Sequence, residues 1–432
     1  MVYSVAFVGA QTGDEGKGVR VDYYVTRAVE YSKPMPQQDP KVWTMRWQGG
    51  RNAGHTVIKN GEKYALHQIP SGILIPGTFN LMGESVFLEP RQCLEEIMEL
   101  RRRGVKIDRS NFGIASNAHV TLDYSIEADK EASKLRVGHT STGQGIKQTA
   151  VDKYGRVGIR FQEFIKFDSF VAALKTRFPE GMPSDFGTHE DFANSYNYER
   201  DELVEFPILQ TDIVGNKNFV YGIGEGAQGF QLDVDRGLYP GVTSSNPSIV
   251  PFRTNKVVGV VKMYESSIGG DRPFIGRMET DLETRLRDLW KERGTTTGKD
   301  RSLGWLDIVA LKNATKGAEI DCLVSTCGDR MEDLFKFGEK VKLVVAYNID
   351  GIEFDEWEPF FHDRTKLSTA TPIFEELPAW EVFFDKEEGR LTPNAQRFVN
   401  RIEELVYVPF VAHGYGPGIE DVFEVRETLP RN

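Results

Sequence analysis

The chain has 432 residues, of which 40% are hydrophobic and 27% are charged, and its formal net charge is -11. This length exceeds one minimal domain and is enough to bury a large core. The negative charge argues against a general binder of nucleic acids or membrane surfaces. A phosphate ligand remains compatible with it, because such a site needs only a few local cations and backbone amides.

The cysteines Cys93, Cys322 and Cys327 are too few and too poorly spaced for a disulfide framework or a zinc site. No stretch approaches the roughly 20 apolar residues that cross a membrane. The N-terminal MVYSVAFVGAQ lacks the basic start of a signal peptide. We therefore expect a soluble protein of the reducing cytoplasm.

Residues 2–9 predict a buried strand, and a glycine-rich turn joins it to a helix from Lys17 to Tyr31. A second strand is predicted at about 41–47. The apolar stripe of residues 90–103 predicts a helix that ends before Gly104. Strand, glycine loop and helix in this order are the usual geometry for holding a phosphate.

Further along, a helix is predicted over 393–406, and short apolar runs at 256–262 and 340–348 predict buried strands. Strands that alternate with helices indicate an α/β fold with a large, mainly parallel central sheet and flanking helices. We expect one catalytic domain spanning 1–432, with insertions near 32–40 and 180–205.

The first loop that could carry chemistry is Gly13-Asp14-Glu15-Gly16-Lys17-Gly18. It is not a Walker A loop, because that pattern needs Gly at position 11, which is Gln here, and Ser or Thr at position 18, which is Gly here. It still supplies backbone N–H donors, one lysine and acidic groups that can hold Mg²⁺. The alternative is an ordinary strand-to-helix turn in which Asp14 and Glu15 complement the helix dipole.

The second loop runs from Gly49 to His55, and its three glycines permit close approach of a ligand. Asn52 could read an amide-like edge of a base, and His55 could stabilise an anion or move a proton. A tight loop with a structural histidine is the alternative, and a lone histidine favours it.

The third loop, Gly224–Gly229, matches GxGxxG after a strand. The residues that follow do not resemble a helix, so a dinucleotide site is not expected and we interpret this segment as a substrate loop. Val242–Asn246 adds hydroxyl groups nearby, although a capped turn would explain them equally well.

The fourth loop, Thr295–Arg301, combines hydroxyl groups, a glycine and two cations flanking Asp300. This composition suits a mobile loop that binds a carboxylate. A solvated surface loop is the alternative at this point.

Taken together and in this order, these segments resemble the adenylosuccinate synthetase family over nearly the whole chain. The resemblance is carried by GAQTGDEGKG, RWQGGRNAGHTV, HQIPSGIL, TSTGQGIKQTAVDKYGRVGIR, EGAQGFQLDVDRGLYPGVTSSN and TTTGKDRSLGWLDIVAL. It implies a ligase that joins aspartate to C6 of a 6-oxopurine nucleoside monophosphate through a 6-phosphoryl intermediate. A nucleoside triphosphate supplies the phosphoryl group.

The resemblance also implies roles for individual residues. Asp14 would take the N1 proton, His55 would stabilise the developing charge, and Lys17 and Gln228 would complete the catalytic set. Mg²⁺ would lie between Asp14, the carbonyl of Gly54 and the phosphates.

The implied binding residues form three groups. The nucleoside monophosphate would be held by Asn52, Ser141, Thr142, Gln228, Thr243 and an Arg156 supplied across the interface of a homodimer. The triphosphate would be held by Gly13, Glu15, Gly16, Lys17, Gly18, Gly54, His55, Thr56, Asp329, Gly416 and Pro417. Aspartate would be held by Thr296, Thr297, Lys299 and Arg301.

Several positions depart from the family pattern. The family has arginine where Lys299 lies, and lysine cannot make the same bidentate carboxylate contact. Its guanine-reading TKLD resembles Thr326-Cys327-Gly328-Asp329, from which the lysine is missing. Thr12, Gln144 and Gly414-Tyr415-Gly416-Pro417 depart as well, since the family has Trp, Arg and Ser-Thr-Gly-Pro there.

These departures resemble a phage branch of the family that makes 2-aminoadenine DNA precursors. They predict dGMP as the substrate, with ATP or dATP as phosphoryl donor and N6-succino-2-amino-2'-deoxyadenylate as product. Many members of that branch have a smaller residue in place of Asp14, which argues against this substrate. A carboxylate can nevertheless accept both the N1–H and the N2–H of guanine.

Three other hypotheses remain open from the sequence. The first is IMP with GTP, as in AMP biosynthesis, which Asp14, Asn52 and His55 favour. The second is a GTPase-like regulator, which would hydrolyse triphosphate without aspartate. The third is an inactive scaffold, which the presence of Asp14, Lys17 and His55 together argues against.

Overall fold

The computed structural model describes residues 2–37, 40–59, 61–134, 142–209, 216, 218–267, 273–294, 298 and 300–431. Within these residues, every helix is too short or too polar to traverse a lipid bilayer. The helices are α1 Lys17–Ser32, α2 Pro90–Arg102, α3 Asp123–Lys134, α4 Ile146–Tyr154, α5 Phe161–Phe164, α6 Phe167–Arg177, α7 His189–Asn194, α8 Asn197–Leu203, α9 Thr280–Trp290, α10 Ile308–Gly317, α11 Glu332–Lys336, α12 Arg364–Leu367 and α13 Pro393–Val406.

The strands are β1 Tyr3–Gly9, β2 Val42–Gly50, β3 His55–Lys59, β4 Glu62–Leu66, β5 Thr78–Leu88, β6 Phe112–Ala115, β7 His119–Val120, β8 Ile208–Leu209, β9 Tyr221–Glu225, β10 Lys256–Lys262, β11 Glu265–Ser267, β12 Ser302–Gly304, β13 Leu306–Asp307, β14 Cys322–Thr326, β15 Val341–Ile349, β16 Ile352–Phe354, β17 Thr371–Leu377, β18 Phe384–Asp385, β19 Arg390–Leu391, β20 Phe410–Gly414 and β21 Val422–Glu424.

An 11-stranded sheet dominates the described residues, in the order β21-β20-β14-β10-β1-β9-β2-β5-β6-β8 with β7 beside β5. Its strand pairs are parallel apart from β20 and β21, which run antiparallel. A smaller sheet contains β13, β15, β16 and β17. The predicted α/β fold with a large, mainly parallel sheet is confirmed.

The strand β1 shows why its sequence is almost continuously apolar. Val5 and Phe7 belong to the core cluster that includes α1. Ala6 and Val8 belong to the cluster on the opposite face, with Trp43 of β2. A strand that is buried on both faces loses the alternation of polar and apolar residues, as is usual in parallel sheets.

The predicted elements lie close to their observed positions. The helix α1 begins at Lys17 as predicted, and α2 begins at Pro90, where the Glu89 side chain accepts from the backbone N–H groups of Arg91 and Gln92. The strand β2 extends three residues beyond the prediction, because Gln48 to Gly50 continue to pair with β5.

The segment 180–205 contains α7 and α8. Its residues Phe192, Tyr196 and Leu203 are fully or almost fully buried in a core cluster with α2 and α6. The segment is therefore part of the hydrophobic core and is not a polar surface loop.

The arrangement of the sheet brings the predicted loops together. The strands β1, β2, β9, β14 and β20 run parallel and therefore end at the same edge of the sheet. Ligands of open α/β sheets bind outside the carboxyl ends of the strands. We therefore expect the ligand-binding site at this edge.

Candidate active site

The loop after β1 is shaped by residues with left-handed backbone angles. Gly13, Asp14 and Gly16 have φ of 93°, 56° and 87°. The carboxylate of Glu15 turns into the loop and accepts from the N–H of Gly13 at 2.8 Å and from Lys17 Nζ at 2.6 Å. The fully buried Glu15 thus supports the loop from inside and holds the lysine predicted to bind the triphosphate.

Glycines let the three loops approach one another: the second loop meets the third at Gly49, and the third meets the first at Gly229. A Cβ atom at Gly49 would lie 2.6 Å from Cβ of Ala227, and one at Gly229 would lie 2.5 Å from a carboxylate oxygen of Glu15. Side chains at these positions would push the loops apart. Lys17 Nζ also donates to the carbonyl of Gln228 at 2.5 Å, which ties the first loop to the third.

Gln228 and Asn52 are among the described residues whose buried polar atoms have no hydrogen-bond partner within the protein. Both amide atoms of Gln228, and Oδ1 of Asn52, are buried without a hydrogen-bond partner among the described residues. A buried polar group without a partner costs about 1–3 kcal/mol. Both amides are therefore suited to meet the polar edge of a ligand, as the sequence predicted.

His55 is held by a buried carboxylate. Its Nδ1 hydrogen-bonds to Glu225, which also accepts from the N–H of Ser71 at 2.8 Å and from Ser71 Oγ at 2.6 Å. Burial and the positive charge of Arg46 lower the pKa of His55 to about 4, so the imidazole is neutral at pH 7. With Nδ1–H donated to Glu225, Nε2 is left to interact with a ligand.

Glu225 is a site residue that sequence reasoning missed. Burial alone would raise its pKa, but the neighbouring His55 and Arg46 outweigh burial and hold that pKa below the usual range. Arg46 Nη2 lies 3.6 Å from the carboxylate. The available signal was a glutamate at the last position of a buried parallel strand, where a carboxylate is otherwise costly.

Arg301 joins the predicted aspartate loop to the phosphate loop. One guanidinium nitrogen forms an ion pair with Asp14, and the other lies 3.2 Å from a carboxylate oxygen of Glu292. Burial and the charge of Arg330 lower the pKa of Arg301 to about 10, and it stays protonated at neutral pH. The residue predicted to grip aspartate is therefore beside the predicted general base.

The segment after β9 is organised by Asp233, another residue that the sequence did not single out. Its fully buried carboxylate accepts from Ser248 Oγ at 2.6 Å and from Asn246 Nδ2 at 3.1 Å. Thr243 lies within this segment, and its N–H donates to the carbonyl of Leu232 at 2.8 Å. The hydroxyl-rich stretch is thus held beside the third loop.

The base-binding residues predicted for the triphosphate lie after β14 and β20. Thr326 Oγ1 donates to the carbonyl of Glu15 at 2.7 Å, which ties the end of β14 to the phosphate loop. Asp329 is partly buried, and burial raises its pKa. Gly416 and Pro417 follow β20, with Pro417 exposed.

Of the remaining predicted residues, some lie at the loops already described, some flank α4, and some lie outside the described residues. Gly18, Gly54 and Thr56 lie at the loops already described, while Thr142 and Arg156 flank α4 and are exposed. The predictions for Ser141, Thr296, Thr297 and Lys299 lie outside the described residues.

Backbone strain is concentrated at the predicted site. Eight non-glycine residues in the described part have positive φ, and four of them are Asp14, Arg156, Gln228 and Cys327. Such conformations cost roughly 1–3 kcal/mol each and cluster at ligand sites. The third loop is followed by a short 3₁₀ turn at Phe230–Leu232, so the prediction that GxGxxG does not begin an α-helix here is confirmed.

A parallel sheet with a glycine-rich phosphate loop, unsatisfied amides and a histidine at its carboxyl edge defines a nucleotide-dependent α/β enzyme. The family model described as adenylosuccinate synthetase matches residues 6–423. The chain belongs to the adenylosuccinate synthetase family, and it is a C–N ligase.

Known relatives cover nearly its full length. The chain is 34% identical over 439 residues to the adenylosuccinate synthetase of Streptococcus sanguinis (strain SK36), with 96% of this chain and 97% of that protein covered. Its fold is similar to the fully ligated adenylosuccinate synthetase from Plasmodium falciparum, with a TM-score of 0.81, 28% identity, and 98% and 99% of the two chains covered.

A cyanophage S-2L succinoaminodeoxyadenylate synthetase, solved with dGMP and dATP, is also similar. Its TM-score is 0.57 and its identity 17%, and the match covers 100% of this chain and 97% of that chain. At this identity the likeness shows a shared fold only.

Glu225→Gln should lower kcat by about 10- to 100-fold, the usual effect of removing the partner that orients a ligand-binding histidine. The amide keeps the shape of the side chain but loses the charge that fixes the His55 tautomer. Steady-state kinetics would measure the effect. Glu96→Gln is the control, because buried Glu96 accepts from the backbone of His67 and Gln68 and should affect stability alone. Equal kcat for the Glu225 variant and the wild type would contradict this role.

Another buried carboxylate, that of Glu265, lies next to Gln11, which precedes the phosphate loop. Glu265 Oε1 accepts from Gln11 Nε2 at 2.9 Å. Burial, reinforced by the nearby Asp307, raises the pKa of Glu265 to about 8, so the folded protein keeps a proton that the unfolded chain releases near pH 4.5. The free energy of unfolding therefore falls between pH 4.5 and 8 on account of this group.

Glu265→Gln should remove this loss, because the amide carries no titrating proton. From pH 5 to pH 8, the variant should lose less stability than the wild type, by on the order of a few kcal/mol. Urea unfolding at both pH values measures the difference. An identical pH dependence in the two proteins would show that Glu265 is ionised in the folded state.

Proposed function

We propose that the enzyme condenses IMP with L-aspartate to form adenylosuccinate, using GTP and releasing GDP and phosphate. The observation that carries this proposal is the ion pair between Asp14 and Arg301. It puts a carboxylate able to take a proton beside a cation able to hold the carboxylate of aspartate. The neutral His55 and the unsatisfied amides of Gln228 complete the same edge.

The chemistry follows from this arrangement. Asp14 takes the N1 proton of the 6-oxopurine, which makes O6 nucleophilic enough to attack the γ-phosphorus. An O6–phosphorus bond forms as the bond to the leaving diphosphate breaks. The amino group of aspartate then bonds to C6 and loses a proton, while the C6–O6 bond breaks and phosphate leaves. Lys17 donates to the phosphoryl oxygens and stabilises their charge, whereas His55 can donate to them through Nε2 only when that nitrogen carries a proton.

The residues fit Mg²⁺, which is usually held by one or two carboxylates together with water and substrate phosphates. Asp14 offers one carboxylate, and the carbonyl of Gly54 lies in the neighbouring loop. Bound there, Mg²⁺ would neutralise charge on the transferred phosphoryl group.

Two observations favour IMP and GTP. The S. sanguinis relative, which matches over 96% of this chain, is an adenylosuccinate synthetase. Asp329 offers a carboxylate that can accept from N1–H and N2–H of guanine, whereas the acceptor N1 of adenine would face it unfavourably. The prediction of dGMP with ATP or dATP from Lys299 and Cys327 stays a prediction, and the same assay tests it.

A homodimer is part of this proposal. Arg156 is exposed in one chain and follows the C-terminus of α4 in a left-handed conformation (φ 61°), with its N–H donating to the carbonyl of Lys153 at 3.1 Å. Val151 and Tyr154 on the adjoining α4 are also exposed, at 54% and 70%. An apolar, basic surface of this kind suits an interface that delivers Arg156 to the partner's monophosphate site.

The proposal predicts phosphate release that requires Mg²⁺, aspartate, IMP and GTP together. IMP, GMP and dGMP would each be paired with GTP, ATP or dATP, and phosphate and the C6-substituted purine would be measured. Asp14→Asn should lower turnover by at least about 100-fold, because it removes the base. Phosphate release that requires dGMP and ATP or dATP would show that these are the substrates, in place of IMP and GTP. Aspartate-independent release would instead support a regulator.

A further inference from the structure

Glu292 is the centre of a buried charge network that the reaction chemistry above does not use. It follows α9 and is 6% exposed. Its carboxylate accepts from Tyr264 Oη at 2.5 Å and from Arg301 Nη1 at 3.2 Å, and it also pairs with Arg330. Lys262 Nζ lies 3.8 Å away. One carboxylate thus serves three cations.

The same residue closes the base of the predicted aspartate loop. The N–H of Arg301 donates to the carbonyl of Glu292 at 3.1 Å. One position further along, Arg293 Nε donates to Asp300 Oδ1 at 3.1 Å. That second ion pair is exposed and worth little, whereas the pair between Glu292 and Arg301 is buried at both ends. Glu292 therefore holds both the backbone and the guanidinium of Arg301.

The electrostatics require Glu292 to be ionised. Burial would raise its pKa, but the charges of Lys262 and Arg330 outweigh burial and lower that pKa. Removing one partner from a buried ionic network leaves the other charges uncompensated, which is usually costly. Without this carboxylate, the guanidinium of Arg301 would keep Asp14 as its one charged partner among the residues that the structure describes.

We propose that Glu292 is a positioning residue for aspartate binding. It holds Arg301 where its guanidinium can meet the carboxylate of aspartate. Through Arg330, the neighbour of Asp329, it connects that site to the segment that meets the base of the triphosphate. This inference rests on the proposed function, because it takes Arg301 as the residue that grips aspartate.

The pairing of Glu292 with Arg301 predicts which kinetic constant should change when Glu292 is replaced. Displacing a binding group by about 1 Å can cost about 100-fold in rate, so the loss should fall on the ligand that the group holds. A purely structural Glu292 would lower the melting temperature and leave the ratio of the three KM values unchanged. A positioning Glu292 raises the KM of aspartate selectively.

The first test is Glu292→Gln in the full-length protein, with IMP, GTP and Mg²⁺ saturating. We expect the KM for aspartate to rise at least about tenfold, and the KM for IMP to change by less than about twofold. The matched control is Glu375→Gln, because Glu375 binds Arg401 through both oxygens in the smaller sheet, which carries none of the predicted site residues. That control should keep the wild-type KM for aspartate.

Two further variants keep the test decisive if Glu292→Gln does not fold. Tyr264→Phe removes one hydrogen bond to Glu292 and should raise the KM for aspartate by about two- to fivefold. Arg330→Gln should raise the KM for both aspartate and the triphosphate. An unchanged KM for aspartate in every folded variant would overturn the inference. A wild-type protein that ignores aspartate would overturn the proposed function instead.

Discussion

The parallel pairing of β1 with β9 on one side and β10 on the other constrains the whole site. The register of these pairs fixes where the phosphate loop leaves β1 relative to Glu225, the last residue of β9. The glycines at 49 and 229 then let the neighbouring loops close on each other, at distances no side chain would permit. The core clusters cover both faces of this sheet, so packed side chains support the strand ends from which the loops leave.

Three buried carboxylates share one task at this edge. Glu15 holds Lys17, Glu225 holds His55, and Glu292 holds Arg301. Each carboxylate is internal, and each partner is a group predicted to meet a substrate. A buried charge is tolerated only when it is paired, so these pairs fix the orientation of the outer groups. In this arrangement the three carboxylates position the groups that we propose to contact the substrates.

Much of the fold follows from local signals. The apolar run of β1, the glycine loop and the start of α1 at Lys17 were all predictable, because periodicity and end signals are local properties of the sequence. Asn52 was singled out from its loop and Gln228 from the family resemblance, and Oδ1 of Asn52 and both amide atoms of Gln228 are buried without a hydrogen-bond partner among the described residues.

The pairs that the site residues form with one another and with their supporting residues could not be found in the same way. Glu225 meets His55 across 170 residues, and Arg301 meets Asp14 across 287. No local pattern encodes such pairs, because the register of the sheet creates them. The burial of Phe192 and Tyr196 in segment 180–205 could not be predicted for a related reason, since it depends on packing against α2 and α6.

The central claim is that O6 of the purine becomes bonded to phosphorus before aspartate displaces it. The most direct test uses IMP labelled with ¹⁸O at the 6-oxygen, incubated with the enzyme, GTP, aspartate and Mg²⁺. Mass spectrometry of the released phosphate follows the label. Our account predicts one ¹⁸O atom in each phosphate released, because the C6–O6 bond breaks after the O6–phosphorus bond has formed. Unlabelled phosphate would mean that water attacks the triphosphate, and would contradict the account.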